Sequence, residues 1–318
     1  MAPRDCLGWG GEGVAVALEG RTALVVVSYG SAELVEQNLT TLAADWPDLD
    51  VVIVDSFTST AERERVRELC ARRGWTPLLL DVNAGFGGGV NRGAAAAFER
   101  GADAIIVLNP DAVIPAADAQ ALAEAAGDSM LLVAPVIRRP DGSLWTEGTD
   151  LYLDDGTMAG IRHRARLGDR PRMAWVSGAC FALSRSLWER IGGFDDAYFL
   201  YWEDADLSRK VWDAGGEVRV LQTASAIHDE GGTHDDKGAG RAKSETYYYF
   251  NIRNRLLFAR LRLDVEAQRA WRRSALRVSW GILLQGGRRQ LVTSVAPWRA
   301  LRRGLRDGRR GVSGPAPR

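Results

Sequence analysis

The chain has 318 residues, 46% of them apolar and 26% charged, with basic and acidic side chains in equal number. This composition excludes a disordered or fibrous protein, and the length allows one large α/β domain with an appendage or two ordinary domains. The cysteines, Cys6, Cys70 and Cys180, stand far apart with no Cys-x-x-Cys pair, so neither a disulfide framework nor a cysteine zinc site is expected, and a reducing cytosol suits them.

In chain order, a short apolar run at 14–18 lies between Glu12 and Glu19, which does not read as a secretory signal. No stretch approaches the roughly 18 apolar residues of a spanning helix. From residue 23 apolar runs alternate with helical stretches: ALVVVSY at 23–29, a helix over 32–44, VVIVD at 51–55, a charged helix over 61–73, LLLD at 78–81, a small-residue helix over 90–100, and DAIIVLNPD at 103–111. Such alternation predicts a mostly parallel sheet with helices on both faces, and continuous apolar runs are what strands buried on both faces require. The loops beginning at Ser28, Asp55, Asp81 and Asn109 then converge on one crevice at the carboxyl ends of the strands. Beyond about residue 140 the pattern becomes mixed strand and loop, with a Gly, Asp and Arg-rich stretch at 141–170 read as a mobile segment, and helices follow over 244–262 and 266–284. The expected division is an N-terminal extension at 1–21, the α/β domain at 22–262 and a basic helical tail at 263–318.

Several segments carry chemistry. Asp55 ends a strand ahead of Ser56, Thr58, Ser59 and Thr60, where a carboxylate can receive a base or ribose hydroxyl, or merely cap the turn. GFGGGVNRG at 85–93 opens a helix, and its glycines permit close backbone approach to a phosphate or sugar, or simply a tight turn. It lacks the G-x-G-x-x-G spacing of a dinucleotide fingerprint. Asp111 follows Pro110 at the edge of the sheet, where a hard carboxylate suits a divalent cation set against a diphosphate. The segment at 192–216 gathers Asp195, Asp196, Glu203, Asp204 and Asp206 among Phe194, Phe199, Tyr201 and Trp202, so it offers a general base in an aromatic pocket, or a set of helix caps. His228 ends a probable strand, begins a Gly-rich loop and is placed to complete a metal site with Asp111.

Together and in this order, VSYGS, VVIVDS, NAGFGGGVNRG, IIVLNPD, WVSGACFALSRSLWERIGGFDDAYFLYWEDADLSRKVWDAGG and IHDEGG closely resemble the family 2 glycosyltransferases of the GT-A fold, and more narrowly the bacterial rhamnosyltransferase group. The likeness extends over about 22–262, because YYYFNIRNRLLFARL is similar to that group's post-catalytic helix. The resemblance implies that Asp55 contacts the nucleotide and that Asn83, Gly85, Phe86, Gly87 and Asn91 bind donor base, ribose and sugar. Ser28, Tyr29, Asn109, Trp175 and Gly178 complete that nucleotide-sugar site. It implies a divalent cation, Mg²⁺ or Mn²⁺, held by Asp111 and His228, with Asn109 standing at the first position of the family's D-x-D motif. Asp204 takes the place of the catalytic base in the family's E-D motif, with Glu203 as its supporting neighbour. The chain departs from the family in having Ser56 after Asp55 where Asn is usual.

By the same likeness the donor is a dTDP-deoxyhexose such as dTDP-L-rhamnose, and transfer to an acceptor hydroxyl inverts the sugar. The acceptor implied is a cell-envelope glycan on a polyprenyl diphosphate, with a small natural-product aglycone as the alternative. From other classes, a sugar nucleotidyltransferase usually carries its Gly-rich loop after the first strand, where SYGS has one Gly, and a binding module has no need of both Asp111 and Asp204. The residues from 265 onward hold thirteen Arg against Glu266 and Asp307, a net charge of about +11. That asymmetry marks either a polyanionic partner or a solvated helical surface. The expectation is a cytoplasmic enzyme at the inner face of the plasma membrane through this tail, with no nucleic acid as partner.

Overall fold

The computed structural model describes residues 20–127, 130–229 and 242–317, so Cys6, the run at 14–18 and the Gly-rich loop after His228 lie outside the described residues. The first half reads β1 (Thr22–Ser28), α1 (Ala32–Asp45), β2 (Asp50–Asp55), α2 (Thr60–Arg73), β3 (Thr76–Leu79), α3 (Gly85–Glu99), β4 (Ala104–Leu108), β5 (Ala112–Val113), α4 (Ala116–Ala126) and β6 (Leu131–Arg138). The second half reads β7 (Leu144–Thr146), β8 (Thr149–Tyr152), β9 (Met158–Gly160), α5 (Arg164–Leu167), β10 (Arg172–Trp175), β11 (Cys180–Ser184), α6 (Arg185–Ile191), α7 (Glu203–Asp213) and β12 (Glu217–His228). The chain closes with α8 (Glu245–Arg262), α9 (Val265–Arg273), α10 (Ala275–Gln285), α11 (Arg288–Thr293) and α12 (Ala296–Arg310).

The main sheet runs β3-β2-β1-β4-β11-β6-β12-β5, with β7 added beside β6. The strands β3, β2, β1 and β4 are parallel, as are β6 and β12, whereas β11 lies antiparallel between β4 and β6. Because side chains alternate along a strand, β1 sends Leu24 and Val26 to one core with α1, α2 and α4. Its Ala23, Val25 and Val27 face a second core with α3, α6 and α7. The α/β fold with a mostly parallel sheet is therefore as the sequence predicts, and the ends of β1, β2 and β4 share one edge.

Three segments differ from their sequence-based expectations. The helix placed at 90–100 begins at Gly85, because its glycines serve as packing surface: a Cβ on Gly93 would lie 2.4 Å from Val25 and 2.9 Å from Val54. Pattern reading penalises Gly in a helix, and here tight seating on the sheet overrides that penalty. The single helix expected over 266–284 breaks at Ser274, whose Oγ accepts from Arg255 at 2.7 Å and donates to the Trp271 carbonyl at 3.1 Å. The stretch at 141–170 is not open loop: β8 and β9 join β10 in a small antiparallel sheet, and Arg164 forms a bidentate pair with buried Asp150 at 2.7 and 2.8 Å.

The last helices return to the body. Tyr249 on α8 donates to Asp307 on α12 at 3.1 Å, and Tyr248, Ile252, Leu283, Ala300 and Leu305 form one apolar cluster. Among the described residues no helix is long and apolar enough to cross a membrane.

Candidate active site

The acidic segment is delivered by an unusual turn. Tyr201 and Trp202 both adopt positive φ, 64° and 76°, before α7 begins at Glu203. Non-glycine residues in this region cost of order 1–3 kcal/mol each and persist where surroundings enforce them. Here the enforcement comes from α8: Asn254 Nδ2 donates to the carbonyls of Leu200 at 2.9 Å and Tyr201 at 2.7 Å.

That turn sorts the acids. Asp206 is fully buried in a bidentate pair with Arg262 at 2.6 and 2.9 Å and also accepts from Tyr198, so it ties α7 to α8. Arg262 reaches Asp195 as well, at 2.9 Å. Asp204 is partly exposed, and accepts from the Gly178 N–H at 3.2 Å and the Ala205 N–H at 2.8 Å. Burial pushes its carboxyl up to about 6, while those two backbone donors favour the ionised form. Glu203 is 6% exposed, and burial followed by the neighbouring Asp204 charge raises its carboxyl well above the ordinary value.

Across the sheet edge, β12 runs antiparallel to β5 and sets His228 opposite Ala112. His228 Nε2 and Asp111 Oδ1 are 3.1 Å apart, both residues buried, and the Trp145 ring lies edge-on to the imidazole at 5.1 Å. Trp145 also lines a cleft of about 100 Å³ with Thr146, Thr149, Gly160 and Arg162. The two halves of the site meet through the backbone: Gly178 holds Asp204, and its neighbour Ala179 accepts the Asn109 N–H at 2.9 Å, beside Asp111.

A carboxylate oxygen beside an imidazole nitrogen is a donor pair that fits Mg²⁺ or Mn²⁺. Among the described residues no group of three His, Cys, Asp or Glu side chains is arranged to hold a metal ion, so substrate oxygens would have to supply the remaining positions.

Other expected residues divide by what occupies them. Both ends of the Asn91 amide engage the Phe194 backbone, at 2.9 and 3.1 Å. Asn83 Oδ1 accepts from the Gly85 N–H at 2.8 Å, Ser28 Oγ meets Ser31 Oγ at 3.1 Å, and Gly178 leaves room for the Phe86 ring. Gly85 has φ +73° against the Phe199 carbonyl, and Gly87 packs on Phe194, so both shape the loop. Tyr29 stands 46% exposed after β1. Asp55 is fully buried, with one oxygen 3.3 Å from Arg63 Nε; burial raises its carboxyl and Arg63 opposes that shift.

Six buried side-chain polar atoms among the described residues lack a hydrogen-bond partner: Asp55 Oδ1, Tyr152 Oη, Trp175 Nε1, Glu203 Oε2, His228 Nδ1 and Arg253 Nη2. Buried polar groups are nearly always paired, so each such atom needs a reason. Four of the six belong to residues singled out from sequence as ligand-binding or catalytic. Sequence reading missed Trp145, which flanks His228 and stands in no recognisable motif, and it gave no role to Asn254, which fixes the turn before α7, although the segment YYYFNIRNRLLFARL that holds it was singled out.

Residues 23–192 match the family model described as Glycosyl transferase family 2. The N-acetylglucosaminyl-diphospho-decaprenol L-rhamnosyltransferase of Mycobacterium tuberculosis is 31% identical over 177 residues, 48% of this chain and 57% of its own. The chain thus spans somewhat over half the length of that relative. The low-salt glycan biosynthesis hexosyltransferase Agl10 of Haloferax volcanii is 24% identical over 245 residues, 74% of each chain. Among solved structures, a mannosyltransferase of Pyrobaculum calidifontis in complex with GDP-Man and Mn²⁺ shares the fold with a TM-score of 0.54 and 15% identity, over 92% of this chain and 86% of that one.

Proposed function

Because the chain belongs to glycosyl transferase family 2, we propose that it is an inverting transferase moving a sugar from a nucleoside diphosphate donor to a hydroxyl of a cell-envelope or lipid-linked glycan. The mycobacterial relative, by its name, supports L-rhamnose as the sugar and a polyprenyl-diphosphate glycan as the acceptor, while dTDP as the nucleotide rests on the resemblance of the sequence motifs.

In this reading the Asp204 carboxylate accepts the proton of the acceptor hydroxyl. That oxygen forms its bond to the anomeric carbon as the bond from carbon to diphosphate oxygen breaks on the opposite face, and the electron pair leaves with the nucleoside diphosphate. Glu203, buried beside it, is its supporting neighbour. Asp55, Trp175 and the α3 loop orient the donor. Asp111 and His228 would hold a divalent cation, which when bound would neutralise charge on the diphosphate as a Lewis acid. The observation carrying this reading is that four of the six unpartnered buried polar atoms among the described residues lie on residues expected to touch the donor or the cation or to stand beside the catalytic base.

Incubating the protein with dTDP-rhamnose, Mn²⁺ and either a polyprenyl-diphosphate N-acetylglucosamine or a small aglycone, while following nucleoside diphosphate release, tests it. Release that depends on the lipid-linked acceptor, with an inverted anomeric proton signal in the product, is expected. Release only with the aglycone, or a product of retained configuration, would overturn the acceptor or the mechanism respectively.

A further inference from the structure

The transfer chemistry leaves α10, α11 and α12 without a role, yet they carry several exposed large apolar side chains. Leu276 (62% exposed) and Trp280 (44%) project from α10, Val292 (85%) from α11, and Val295 (73%) and Trp298 (44%) from the approach to and first turn of α12. These are one patch rather than scattered residues. The rings of Trp280 and Trp298 lie 5.9 Å apart, and Trp298 Nε1 donates to the Leu291 carbonyl at 2.9 Å, fixing α12 beside α11. Contiguous exposed aromatic and aliphatic groups mark an interaction surface.

Charge identifies the partner. Arg288, Arg289 and Arg302 are exposed around this patch, and among the described residues no carboxylate pairs with them. Single-signed cations around an apolar face with tryptophans suit the headgroup boundary of an anionic bilayer, where the indoles sit at the interface and guanidinium groups meet lipid phosphates. A nucleic acid would match the arginines but gain little from Val292 and Val295.

We infer that this face docks peripherally on an anionic lipid surface. The inference stands independently of the sugar, the acceptor and the catalytic assignment. It also gives the site an orientation, since Tyr247 on α8 donates to Gln285 at the end of α10 and packs edge-on against Tyr201 at 5.3 Å, in the turn that leads to Asp204.

The test is co-sedimentation of the full chain with phosphatidylglycerol vesicles, with phosphatidylcholine vesicles and with a labelled oligonucleotide in parallel. Binding to the phosphatidylglycerol vesicles is expected, weaker at high salt. The pair Val292→Asp and Val295→Asp, both highly exposed, and separately Arg288→Glu with Arg289→Glu, should each weaken it by about tenfold or more while leaving the melting temperature unchanged. No binding to phosphatidylglycerol vesicles, binding retained by both variants, or binding to the oligonucleotide alone would overturn the inference.

Discussion

Asn254 Nδ2 donates to the Tyr201 carbonyl at 2.7 Å, so a helix far along the chain holds the left-handed turn from which Asp204 projects. Replacing Asn254 with Ala leaves two backbone carbonyls without this donor and releases the turn. The expected loss is about 1–3 kcal/mol of stability for unsatisfied buried groups. Turnover should fall more than donor affinity, since the residues on β2 and α3 proposed to bind the donor are untouched. Urea denaturation and a kcat against KM comparison check this, and unchanged kcat would mean the turn is not needed to aim Asp204.

Asp204→Asn should lower transfer by about 10²–10⁴-fold, the usual contribution of a general base, while leaving donor binding within a few-fold. In the native protein the same group, as the proposed base, should set the acid limb of the pH profile. Its folded-state value near 6 lies above the ordinary 3.8, and the reactive form is the carboxylate, so activity should rise with pH through about 6 and then level off. Stability responds in the opposite sense. Between 3.8 and about 6 the folded state binds more protons than the unfolded one, so the contribution of Asp204 is present at low pH and is lost as pH rises through that window. A profile of kcat/KM flat from pH 5 to 8, within the general rule that a base must be ionised, would count against Asp204.

Cation dependence has its own readout. With Asp111 and His228 as the only protein donors proposed, nucleoside diphosphate should raise the melting temperature more strongly with Mn²⁺ than with chelator, by the linkage of ligand to the folded state. In Asp111→Asn the Mn²⁺-dependent part of that shift should disappear, whereas the cation-free part should persist. Equal shifts with and without Mn²⁺ in the unaltered protein would remove the cation from the donor site.

How much of this could be read from the residues depends on whether the partners are near in sequence or in motif. The strands β1, β2 and β4 were legible because each is a continuous apolar run, and Asp111 because it closely follows the end of β4. Asp204 was legible as one acid among several, but its separation from Asp206 was not, since that depends on Arg262, which arrives from the end of α8. The antiparallel insertion of β11 between β4 and β6 leaves no local mark, because pairing partners are set by the whole sheet. The break at Ser274 was hidden for the same reason: Arg255, one of the groups bonded there, lies buried on another helix.

The glycines of α3 give the sharpest contrast between binding and packing. Read as a motif, GFGGGVNRG invites a ligand along its whole length, yet a Cβ on Gly93 would meet Val25 at 2.4 Å and Val54 at 2.9 Å, both core residues of the sheet. Gly93→Ala should therefore destabilise by about 1–3 kcal/mol through overpacking, against the gain that Ala ordinarily brings to a helix interior. Arg92, its neighbour, instead donates to the Gly88 carbonyl at 2.7 Å on the helix itself, so Arg92→Ala should cost far less. Denaturant midpoints of the two variants check the contrast, with donor affinity of the folded fraction expected to survive in both. If Gly93→Ala were as stable as the unaltered chain, α3 would not be seated on the sheet as closely as these distances require.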